Sequence, residues 1–111
     1  MATTHAAAFN VLGSKTSAVT NGAGGTAVST LLPAGKTVRH MIMNVQSSGA
    51  RWTADGTAPT VGAAGTAIGQ PVIQDATISF MDPNYDYSGV IQTMKIIGNP
   101  SNIWVDCVFF D

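Results

Sequence analysis

The chain has 111 residues, of which 45% are apolar and only 10% charged, with a formal net charge of −1. A length of this order suffices for one domain to fold on its own apolar core, without metals or disulfides. Soluble domains ordinarily carry about 25% charged residues, so a chain this neutral is expected to cover much of its surface with partner chains. It has no basic stripe with which to neutralise a nucleic acid.

The one cysteine, Cys107, leaves no intrachain disulfide and no multi-cysteine zinc site, a usage that fits assembly in reducing cytoplasm. It lies in the apolar run "IWVDCVFF" and reads as a buried structural thiol. The opening "MATTHAAAFN" has no basic stretch leading into an apolar one, and no segment reaches the ~20 apolar residues of a membrane span. The expectation is a soluble protein, not secreted by the general route and without a membrane partner.

In chain order, residues 1–12 are too polar and alanine-rich for a core and are expected to form an extended arm that orders against a neighbour. A loop around Asn21 to Gly25 leads to a short strand, Thr26 to Leu32, closed by Pro33-Ala34-Gly35. In "KTVRHMIMNVQ" two interleaved apolar sets, Val38/Ile42 and Met41/Met43/Val45, predict a strand covered on both faces. After Ser47-Ser48-Gly49, "ARWTAD" alternates. Ala50, Trp52 and Ala54 share an inward face, with Arg51, Thr53 and Asp55 opposite, which is the pattern of a half-buried strand.

Four glycines and Pro59 between Gly56 and Gly69 predict a long surface loop crossing from one sheet to the other. "IGQPVIQD" reads as an edge strand, because Pro71 has no N–H for a ladder. "ATISFM" sets Ile78 and Phe80 against Thr77 and Ser79, and "DPNYDYSG" ends it in turns. Residues 90–98 and 103–111 are apolar runs joined by "NPSN" and are expected to form a hairpin of interior strands. No helix is expected. The fold class is all-β: a single-domain, jelly-roll-like β-sandwich over residues 1–111 with an N-terminal arm over 1–12.

No constellation for catalysis, cofactor binding or metal binding stands out. His5 and His40 have no second histidine at ligand spacing and no G-x-S-x-G elbow to serve. His40, inside a strand, reads as a core or interface residue. The carboxylates are all aspartates, five of them in or beside turns where they bond their own backbone. Asp82-Pro83-Asn84-Tyr85-Asp86 lacks the glycine and distal glutamate of a calcium loop. Trp52 and Trp104 are expected in the core or a subunit contact, while Tyr85 and Tyr87 are the aromatics expected to be exposed.

"RWTADGTAPT", the loop "VGAAGTAIGQPV" and the closing "MKIIGNPSNIWVDCVFF" together resemble small β-sandwich virion proteins of tailed phages. That resemblance spans residues 36 to 111 and leaves the N-terminal part unmatched. It implies a structural protein without catalytic residues, either a capsid decoration (cement) protein or a tail component. The first expectation is a homotrimer or homodimer, made in the host cytoplasm and seated on the outer surface of the virion capsid. There it would bridge copies of the major capsid protein, with Phe9, Val11, Tyr85 and Tyr87 as contacts. A tail adaptor or host-binding fibre component is one alternative, and a carbohydrate-binding β domain is another of a different class.

Overall fold

The computed structural model describes residues 9–111. Eight strands form two antiparallel sheets: β1 (Val11–Val19), β2 (Thr26–Ala27), β3 (His40–Gln46), β4 (Gly49–Thr53), β5 (Gln70–Val72), β6 (Thr77–Phe80), β7 (Lys95–Asn99) and β8 (Ile103–Phe110). The first sheet has the order β1-β8-β3-β6 and the second β2-β7-β4-β5. In both, first pairs with last and the pairing nests inward: β1 with β8, β2 with β7, β3 with β6, β4 with β5. A single antiparallel ribbon wrapped around a core gives this order, so the sandwich is a jelly roll.

Alternation builds the core. On the first sheet Met41, Met43 and Val45 of β3 and Ile103, Val105, Cys107 and Phe109 of β8 point inward and are buried. They meet Ala50 of β4 and Ile96 of β7 from the second sheet. Removing side chains such as Phe109 or Met41 from water stabilises the fold by roughly 1.5–3 kcal/mol each. The outer set on β3, Ile42, Asn44 and Gln46, is half-buried, so that strand is not covered on both faces as its apolar content suggested.

Four other expectations are corrected. Strand β2 stops at Ala27, and Val28–Leu31 form a 3-10 turn whose Val28 and Leu31 plug the core. Residues Ser88–Thr93 are a short helix, α1, which buries Ile91 before β7 begins at Lys95; the β-branched residues there decided nothing against tertiary packing. The runs 95–99 and 103–110 are interior strands, as their apolarity predicted, but they do not pair as a hairpin. They lie in different sheets, and residues 100–102 arch over the top of the core between them. Finally, β4 and β5 pair with each other, so the loop between them returns to its own sheet rather than crossing.

At the N-terminus, residues 1–8 of the expected arm lie outside the described residues. Its last residues belong to the domain: Val11 and Leu12 open β1, paired along β8.

Candidate functional site

The four side chains singled out as contacts gather at one end of the sandwich, around His40. Phe9 packs edge-on against the His40 ring with centroids 4.8 Å apart, and Tyr87 does so from another side at 5.9 Å. Phe9 also meets Phe110 at 5.9 Å, and Val11 is the register partner of Phe110. Tyr85 lies 6.0 Å from Tyr87. Val11 and Tyr85 are exposed, but Tyr87 is half-buried, wedged between His40 and Phe80, and so corrects the expectation that both tyrosines face solvent.

His40 is buried in this cluster, and its Nε2 lies 3.0 Å from both the Asp82 and the Tyr85 carbonyl oxygens. Two carbonyl acceptors require a proton on Nε2, which donates to them. Nδ1 is buried with no partner among the described residues. The ring therefore pins the 82–87 turn to β3. Beside it, Arg39 is paired with Asp111 and lies 3.7 Å from Asp86, and the Tyr87 N–H donates to the Arg39 carbonyl. Bonds from the Ser88 hydroxyl and N–H, then the Arg39 charge, hold the Asp86 carboxyl below its usual range.

The aspartates behave as turn formers. Asp55 accepts from the Thr57 N–H, Asp82 from the Asn84 N–H and Asp86 from the Ser88 N–H, each across two residues. No group of three or more His, Cys, Asp or Glu side chains suited to hold a metal occurs among the described residues. Cys107 is buried, and desolvation followed by the nearby Asp106 charge pushes its thiol up to about 12, where it is a poor nucleophile at neutral pH.

A second place lies beside the edge strand β5. Trp52, Thr53, Ala54, Asp55 and Thr57 line a shallow cleft of about 400 Å³ with Ile68, Gly69 and Gln70. Register explains it. Trp52 stands opposite Gln70 across the β4–β5 ladder, and the Asp55-Gly56 turn carries the carboxylate to the rim. The Thr57 N–H and hydroxyl hold the Asp55 carboxyl below its usual range. Trp52 is half-buried, inward as its alternation predicted, and it meets Phe80 across the sandwich at 5.8 Å. The sequence could not reveal this cleft, because nothing in the order of residues says that Gln70 comes to lie beside Trp52.

The loop from 56 to 69 does more than join two strands. It folds back over the outer face of the second sheet, where Arg51 donates to the Gly69 carbonyl at 2.8 Å and the Gly62 carbonyl at 3.4 Å. The Gly62 N–H donates to the Asn99 side chain at 3.1 Å. Arg51 is only 6% exposed, so β4 is not the half-buried strand its alternation suggested. Gly69 has a φ of 115°, and a Cβ there would lie 3.0 Å from the Arg51 Cβ, so a side chain would be strained and would crowd the loop against the sheet.

Comparison of the chain with known protein families, with curated proteins and with solved structures returns no match.

Proposed function

We propose that this chain is a virion structural protein, a capsid decoration protein that stabilises a phage head by bridging major capsid subunits. The observation that carries the reading is the outer face of the first sheet. It is open and presents short polar and apolar side chains such as Ser14, Thr16, Ile42 and Val108 around a half-exposed Trp104. The one ionised group on this face among the described residues, Asp106, already has its two oxygens taken by the Thr16 hydroxyl at 2.7 Å and the Gln46 amide at 2.6 Å. Such a face loses little hydration on docking against another sheet or shell, because no free charge must be stripped of water.

Exposed apolar side chains on other sides fit attachment to more than one neighbour. Val11 and Tyr85 project at the His40 end and Ile73 at the opposite end, while Val61 and Ile68 stand on the loop over the second sheet. A body that adheres through several weak faces at once resists being pulled away, since all contacts must break together. The mechanism is mechanical, with multiplied contacts holding the shell against internal pressure.

Electron cryomicroscopy of particles carrying the chain tests this directly. Density for it is expected on the outer capsid surface, in copy number comparable to the major capsid protein, and Trp104→Asp should reduce its occupancy. Density confined to the tail would overturn the decoration reading in favour of an adaptor or fibre role. Full occupancy of the Trp104→Asp variant would remove the first sheet as the contact.

A further inference from the structure

We propose that the cleft between Trp52 and Gln70 is a binding site for a neutral sugar ring, part of an uncharged oligosaccharide. This assignment does not rest on the first sheet's outer face, which carries the attachment reading, although Ile68 borders the cleft. A pyranose ring has two demands: an apolar C–H face that needs a flat apolar wall, and a rim of hydroxyls that needs acceptors and donors in fixed positions.

The cleft supplies both. Trp52 is the wall, braced by Phe80 at 5.8 Å and an interplanar angle of 76°. Asp55 accepts from the Thr57 N–H at 3.0 Å and from the Thr57 hydroxyl, and its exposed carboxylate keeps further lone pairs for hydroxyl donors. Gln70 is exposed and brings an amide with both donor and acceptor to the same rim. A carboxylate beside an amide is a fitting partner for vicinal hydroxyls.

The cleft also rejects other ligand classes. Among the described residues no Lys, Arg or His lines it, so a phosphate, sulfate or uronic acid would face the Asp55 charge without a lining cation. A purely apolar ligand would strand that carboxylate against hydrocarbon. At about 400 Å³ the space lies toward the small end of the roughly 300–1,000 Å³ range of small-molecule sites. One ring would enter while the rest of the oligosaccharide runs outside.

The test uses the full chain with Trp104→Phe, which leaves Trp52 as the single indole. An array bearing both neutral oligosaccharides (gluco-, manno-, galacto- and N-acetylglucosamine oligomers) and sialylated or sulfated ones is probed first. Any neutral binder is then titrated by Trp52 fluorescence. Expected are binding of a neutral oligomer with a change in indole emission, and a loss of affinity of about tenfold or more in Asp55→Ala and in Gln70→Ala. Gln70 is exposed, so its variant should keep the wild-type Tm and report on binding alone. The proposal fails if no neutral glycan binds, if acidic glycans are preferred, or if both cleft variants bind as tightly as the parent. None of these failures would touch capsid attachment, which is read from particle occupancy.

Discussion

The first and second sheets each turn one face to the core and one away from it, yet among the described residues only the second has its outer face covered. On the second, Arg51 and its register partner Ile97 point away from the core and are buried all the same, beneath the loop that runs from 56 to 69. On the first, the equivalent register pair Ile42 and Val108 stays half-open, and the polar row Thr16, Asp106, Asn44 satisfies itself. The difference teaches that strand periodicity tells which residues share a face, while the path of a distant loop decides whether that face meets water.

The comparison is sharpest at Ile97. Ile97→Ala should destabilise the fold by about 2–5 kcal/mol, because it empties a packed site under the loop, whereas Val108→Ala should cost less than about 1.5 kcal/mol. Urea unfolding of the two variants checks this, and similar costs would mean that the loop does not cover its sheet. Next comes Arg51→Ala, expected to cost about 2 kcal/mol as two charge-assisted bonds to loop carbonyls vanish. Limited proteolysis should then cut between 56 and 69 faster than in the parent. Arg51→Met, which keeps the packing of the stem without a buried charge, should fall between the two.

On the open face, Asp106→Ala removes two bonds in contact with solvent and should cost no more than about 1 kcal/mol by the same measurement. The smallest effect concerns acid. Asp55 and Asp86 are held below their usual range by turn bonds, so their contribution is present above the ordinary carboxylate range and fades as pH falls through the lowered folded values. Asp86→Asn should therefore lower Tm slightly at pH 7 and converge with the parent below about pH 4, so that its Tm falls less on acidification.

Much of the architecture was legible. The β-sandwich, the interior character of the last two strands, the edge role of Pro71 and the turn bonds of the aspartates all follow from local chemistry that a sequence displays. What escaped were the outcomes set by distant partners. The run from Val90 carries β-branched residues, yet it begins in a helix because Ile91 is needed to plug the end of the core. Arg51 looked solvated because its cover lies eighteen residues downstream, at the Gly69 carbonyl. Three of the four candidate contact residues, Phe9, Tyr85 and Tyr87, form one aromatic cluster, but its centre is His40, whose surroundings within its own strand pointed only to burial.

The nested order of strand pairs has a consequence for how the molecule is made. Because β1 finds its partner only in β8, an emerging nascent chain holds a nine-residue strand with both edges bare until β8 has been synthesised. Closure of the first sheet is thus a late event dominated by contacts distant along the chain, and such topologies fold slowly. With few ionised groups to keep unfinished copies apart, the hours of greatest hazard for this protein fall during rapid production, when half-made chains crowd one another and a vacant β1 edge can accept the wrong strand.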